Sequence, residues 1–136
     1  MLRLLSALVF TVGFLGIDGP AKARAQESGV AFHFYGAEDC PPCMAFKRSG
    51  LPIVIAAAES AGFRVAVNVI TKTRDVATLG AFGDTDAILR EAAKQLDAVY
   101  PPIFFVTRYG TVVSVHGSDW QRAQESAERE SMRDSS

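Results

Sequence analysis

The chain is poor in cysteine. Cys40 and Cys43 are the only two in 136 residues, so a fold stapled by several disulfides is excluded and any sulfur chemistry belongs to this one pair. An excess of charge of either sign is also lacking. With 14 Lys and Arg against 15 Asp and Glu, a formal net charge of −1 and a pI near 6.1, no basic field exists to hold nucleic acid, and no nucleic-acid partner is expected. Eleven Gly and six Pro are ordinary usage, which excludes collagen-like and low-complexity chains. The apolar run Leu4 to Ile17 has 14 residues, and its roughly 21 Å as helix falls short of a hydrocarbon layer of about 30 Å. What is present, 49% hydrophobic and 21% charged residues, suits one compact globular domain.

That short apolar run follows Arg3, is broken by Asp18-Gly19-Pro20 and leads to Ala23-Arg24-Ala25, a small-x-small pattern. It reads as a secretory signal peptide over residues 1–25, cut between Ala25 and Gln26, and the domain then spans 26–136. A buried amino-terminal helix is the alternative, although an all-apolar run has no polar face to orient it. No cysteine sits at the junction, which speaks against a lipoprotein. The expected location is outside the cytoplasm, in the periplasm if the source is Gram-negative, where disulfides are permitted. The processed chain keeps 11 basic and 14 acidic residues and is expected to be a monomer.

Val30 to Gly36 (VAFHFYG) reads as a buried strand that ends in glycine just before the cysteines. From Pro42 a short helix is predicted to end at Gly50, and a second, starting at Pro52, to close at Gly62. Phe63 to Ile70 alternates in the period of a strand. Thr71 to Gly83 is more polar and reads as a loop with one helical turn. Asp84-Thr85-Asp86 can cap a helix whose Ile88, Leu89, Ala92, Ala93, Leu96 and Val99 share a face. Tyr100-Pro101-Pro102 stops it, and IFFV and VVSV, with Gly110 between them, predict an antiparallel hairpin. From about residue 121 the sequence is almost wholly polar, and one frayed helix that keeps the surface wet is expected there. Trp120, Phe63 and Phe82 read as packing residues. Together these segments predict an α/β class, a mixed sheet with helices on both faces.

A Cys-x-x-Cys where a strand ends and a helix begins places the first sulfur beside unpaired amides at the positive end of the helix dipole, where a thiolate is stabilised. The second sulfur lies within the first turn, so the pair can close and reopen a disulfide. Cys40 is therefore expected as the exposed attacking nucleophile and Cys43 as the resolving thiol. Pro41 and Pro42 fix two backbone dihedrals and remove two amide donors. Two other readings stand beside this one. A structural disulfide would close too small a loop to stabilise much, and a metal site would be either zinc completed by His33 and His116 or copper(I) held by the two thiolates alone.

FHFYGAEDCPPC, followed downstream by PPIFFVTRYGTVV, resembles the thioredoxin family from about Val30 to Val115. The resemblance implies a thioredoxin fold, thiol–disulfide exchange and a cis-proline, Pro102, eight residues before the turn glycine Gly110. It also implies that Pro102, with its neighbours Pro101 and Tyr100 and with Pro41 and Pro42, contacts the extended backbone of a protein substrate. If Pro101 were the cis residue instead, Tyr100 would offer substrate a backbone donor that Pro101 lacks.

Departures from the family pattern are informative. Asp39 and Pro41 stand where a tryptophan and a glycine flank the first cysteine, and Phe34 stands where the family has a buried acid. His33 should point away from Phe34 and reads as a packed residue rather than a base. Glu38 and Asp39 should oppose a Cys40 thiolate. TKTRDVATLGAFGDTDA reads as an insertion. The leading expectation is an exported thiol–disulfide oxidoreductase acting on protein thiols and disulfides, with no bound cofactor and a membrane or exported redox partner. A copper(I)-handling protein and a redox-silent interaction module on the same fold are the alternatives.

Overall fold

A computed structural model of the chain describes residues 28–78 and 80–136; the segment expected to be a signal peptide, residues 1–25, and its expected cleavage site lie outside them. Strand β1 (Val30–Ala37) leads to helix α1 (Pro41–Ala45), a π-helical turn (Phe46–Gly50), α2 (Leu51–Ala61) and β2 (Arg64–Ile70). Then come the short α3 (Thr73–Val76), a 3₁₀ turn (Gly83–Thr85), α4 (Asp86–Ala93), the hairpin β3 (Ile103–Arg108) and β4 (Thr111–Gly117), and α5 (Trp120–Asp134). The sheet order is β2-β1-β3-β4, with β1 parallel to β2 and antiparallel to β3, and β3 antiparallel to β4. A parallel β-α-β unit joined to an antiparallel β-β-α unit through its first strand is the thioredoxin fold, as the motifs implied.

Every residue of β1 is buried, because the strand is hydrogen-bonded on both edges and covered on both faces. Alternation divides its side chains. Phe32 and Phe34 face Phe104, Phe46 and Trp120 on the side covered by α2 and α5. His33 and Tyr35 stack with Phe105 on the opposite side, where Phe82 meets Tyr35 edge-on at 4.9 Å. Trp120, Phe63 and Phe82 therefore pack, as read from the sequence.

Gly50 does not end a helix. Its backbone stays right-handed, and the chain runs from α1 to α2 through the π turn, where the Leu51 amide donates to the Phe46 carbonyl five residues back. Pro52 has no N–H to give the ladder, and a widened turn just before it accommodates the gap. Glycine is needed at position 50 for space, since a Cβ there would lie 2.5 Å from the Phe46 ring and 3.1 Å from Trp120. Gly62, in contrast, closes α2 in the left-handed conformation, as predicted.

The carboxy-terminal segment is not a frayed, wet tail. Asp119 caps α5 by accepting the Arg122 amide, and Ala123, Ser126, Ala127 and Ser131 are buried against the sheet. Its apolar stripe consists of alanines and serines, which allow close approach but leave the sequence looking polar. Ser114 and Ser126 hydrogen-bond at 2.6 Å, and Arg108 pairs with Asp134 and Glu130, fastening the middle of the helix and its carboxy-terminal end. Helix α4 is also shorter than expected: it tightens after Ala93 into bonds from Gln95 to Ala92 and from Leu96 to Ala93. Asp86 organises its start, accepting the Phe82 amide at 3.1 Å. Tyr109 and Gly110, both at positive φ, make the two-residue hairpin turn.

His33 is 7% exposed, and its Nε2 lies 2.8 Å from Thr107 Oγ1. Burial, helped by Arg64, lowers its pKa from 6.5 to about 4. The unfolded chain thus binds one more proton between these values. The His33 contribution is fully present above pH 6.5 and is lost as pH falls toward 4, by about 3 kcal/mol in all. Urea unfolding at pH 7.5, 5.5 and 4 should show this loss in the native sequence, and the pH dependence should be shallower in His33→Gln.

Candidate active site

The site is assembled at the carboxy-terminal end of β1. Cys40 has extended backbone (φ −104°, ψ 105°) and is the N-cap of α1, and its Sγ accepts the Cys43 amide at 3.3 Å. Cys40 and Cys43 are joined as a disulfide. A cap side chain can take a hydrogen bond from the second or third helical amide. Here Pro41 and Pro42 occupy the first two positions, so the Cys43 amide alone serves the sulfur. The prolines start the helix well, because those first amides have no partner within it.

In the disulfide Cys40 is not exposed, contrary to the expectation for it. Only 3% of it is accessible and Cys43 is wholly buried, while Glu38, Asp39, Pro41 and Pro42 around them are exposed. The reason is geometric: in the disulfide, Cys40 Sγ is bonded inward to a sulfur seated against the sheet. Gly36 makes that seat. A Cβ on Gly36 would lie 3.0 Å from Cys43 Sγ and 2.6 Å from the Phe34 ring, so this next-to-last residue of β1 is where sulfur and aromatic ring meet. Phe34 packs in turn on Phe46 and Phe104, with ring centroids at 4.8 and 5.3 Å. The floor below the disulfide is apolar where the family pattern has an acid. Sequence reasoning missed the role of Gly36, although a glycine ending an apolar strand four residues before a cysteine was a visible signal.

The peptide bond between Pro101 and Pro102 is cis, which picks Pro102 over Pro101 and sets aside the alternative using Tyr100. Pro102 directly precedes β3, whose Ile103 pairs with Tyr35 of β1, and so lies at the strand end that carries Gly36 and the cysteines. Pro101 and Pro102 are both buried, Pro102 directly before the first residue of a central strand and Pro101 one position earlier. Tyr100 is 69% exposed beside them.

The histidines belong elsewhere. His33 lies on the far face of β1, bonded to Thr107, and His116 Nε2 is 2.9 Å from Ser114 Oγ, with its pKa lowered chiefly by burial. The zinc set that required both therefore does not assemble. Among the described residues no group of three or more His, Cys, Asp or Glu is arranged to hold a metal ion.

A second residue that sequence reasoning missed, Thr73, also joins the site and carries no local signal in the sequence. Its amide and hydroxyl donate to Asp39 Oδ1 at 2.6 and 2.8 Å, and the Glu38 amide donates to the Ile70 carbonyl at 2.8 Å. The loop that carries Cys40 is thereby stitched to the start of α3, within the segment read as an insertion. These bonds lower the Asp39 pKa, the Thr73 side-chain bond most, and keep it a carboxylate.

Restoring an amide at position 42 should stabilise a Cys40 thiolate. One charge-assisted hydrogen bond of about 1.5 kcal/mol raises the thiolate fraction about tenfold. The lower basicity reduces intrinsic nucleophilicity, which leaves a net gain of about threefold. Iodoacetamide alkylation of reduced Pro42→Ala at pH 7 should show this gain; an unchanged rate would mean that the amide does not reach the sulfur.

No family model matches this sequence, and no curated protein matches it. Among solved structures, the long form of thioredoxin f from spinach chloroplast is 18% identical, with 79% of this chain and 74% of that one covered and a TM-score of 0.46. The short form is 18% identical, with 88% and 87% covered and a TM-score of 0.45. A thioredoxin from Plasmodium falciparum is 13% identical, with 79% and 88% covered and a TM-score of 0.42. On its own strand order, the helix that crosses from β1 to β2 and the Cys-x-x-Cys disulfide at that helix's first turn, this chain has the thioredoxin fold.

Proposed function

We propose that the protein is an exported thiol–disulfide oxidoreductase that exchanges disulfides with protein substrates through Cys40 and Cys43. The observation that carries this reading is the disulfide itself: it lies at a helix N-cap, the first sulfur accepts a first-turn amide, and the second is seated at the end of the central strand. A loop of this size adds little stability, whereas its position suits reversible chemistry.

In the reducing direction, Cys40 as thiolate attacks one sulfur of a substrate disulfide. The other substrate sulfur leaves as a thiolate and takes a proton. Cys43 then gives up its proton and attacks Cys40 Sγ, which releases the first substrate sulfur and forms the Cys40–Cys43 disulfide. Two electrons have passed to the substrate, and the oxidising direction reverses each step. The Phe34 floor contributes no carboxylate, so the Cys43 proton leaves through solvent or to the departing thiolate. Tyr100, Pro41 and Pro42 form the rim that a substrate meets, and Pro102 supports it from the start of β3. A separate exported or membrane dithiol protein returns the pair to its starting state.

Cys40→Ser should abolish the reduction of insulin disulfides by dithiothreitol-reduced protein. Cys43→Ser should accumulate a mixed disulfide with insulin, seen as an adduct on a non-reducing gel. Turnover retained in Cys40→Ser would overturn the assignment. Stoichiometric copper(I) binding by the unsubstituted protein, without insulin reduction, would favour the copper-handling alternative.

A further inference from the structure

We propose that Asp39, fixed by Thr73, is a positioning residue that sets the redox balance of the adjacent cysteine pair: its charge opposes a Cys40 thiolate and biases the pair toward the disulfide, so the reduced protein acts as an electron donor to substrate disulfides. The inference deepens the exchange reading above and rests on it.

An exposed aspartate normally samples several rotamers, and water averages its field. Asp39 is instead pinned by two donors from one residue 34 positions away, at 2.6 and 2.8 Å, and the next link of the same loop, from the Glu38 amide to the Ile70 carbonyl, holds the backbone. The carboxylate therefore has a defined place one residue before the N-cap sulfur. It is not an N-cap itself, and the prolines at the first two helical positions have no amides to give it. Asp39 and a Cys40 thiolate thus compete for the same positive helix end, and only the Cys43 amide favours the sulfur. The apolar floor of Phe34 and Gly36 also disfavours charge on sulfur.

The other charged groups on the two segments that meet here are Glu38 on the cysteine loop and Lys72, Arg74 and Asp75 at α3. Glu38 adds to the opposing charge, Lys72 offsets part of the Asp39 field, and Arg74 lies 3.8 Å from Asp75. The two prolines of α1 bring no charge. Net negative charge therefore borders Cys40. A thiolate disfavoured in the dithiol state raises the free energy of that state relative to the disulfide, and electrons flow out of the protein.

The test separates charge from structure. Asp39→Asn keeps an oxygen acceptor for both Thr73 donors and removes the charge; Thr73→Val keeps the charge and removes one bond. The dithiol–disulfide equilibrium of each is measured against dithiothreitol at pH 6 and pH 9, in low salt and in about 1 M salt, with free thiols counted by alkylation and mass. At pH 9 and low salt, Asp39→Asn should shift toward the dithiol by about fivefold relative to the unsubstituted protein. The shift should shrink at pH 6, where Cys40 is a thiol in both proteins, and in high salt, where the field is screened. Thr73→Val should shift less. No difference at pH 9 and low salt overturns the inference, and so does a difference that is the same at every pH and salt, because a structural effect would look like that. Failure of the unsubstituted protein to equilibrate at all would remove the exchange reading itself.

Discussion

The burial of β1 on both faces and both edges is the constraint on which the rest of the structure depends. A central strand with eight consecutive buried residues leaves no backbone group for water, so β2 and β3 must pair with it and helices must cover each side. Its alternation sorts the aromatic residues into two layers. Phe32 and Phe34 build the layer under α2 and α5, and His33 and Tyr35 build the layer against Phe105 and Phe82. One residue before the strand ends, Gly36 lacks a side chain and a sulfur takes the space. The disulfide thus sits at the edge of the close-packed core, beneath exposed Glu38, Asp39, Pro41 and Pro42.

The disulfide is rigidly placed yet poorly served by donors. Its first sulfur has one amide, its floor is aromatic, and its rim carries acids, one of them fixed by hydrogen bonds to α3. Helix dipole and amide stabilise a thiolate here, while apolar contact and negative charge disfavour it. The site is therefore a balance of opposed terms, and its sensitivity to single substitutions follows from that.

Much of this was legible in the sequence, for physical reasons. β1, β2 and the hairpin strands announce themselves as β-branched and aromatic runs, and Gly62 and Gly110 fall where positive φ is needed. The cysteine pair was found by its spacing, and Pro102 through the resemblance to the thioredoxin family. What was not legible depended on contacts distant in sequence. Gly50 looked like a helix stop because glycine usually is one, but close approach of Phe46 and Trp120 is what selects it. Helix α5 looked like a wet tail because small residues, rather than large apolar ones, form its buried stripe. Cys40 looked exposed because its bond to a buried partner cannot be read from position alone. Thr73 carries no local signal; only the fold brings it to Asp39.

The central claim is that Cys40 and Cys43 form one redox couple, and equilibrating the unsubstituted protein in graded glutathione buffers tests it most directly. Free thiols are counted at each step by an alkylating mass tag. The account predicts a single two-thiol transition in which both cysteines are reduced together, with no population that carries one free thiol and no glutathione. A pair that stays oxidised across the whole series, even with extended equilibration and with dithiothreitol added at the end, would contradict it.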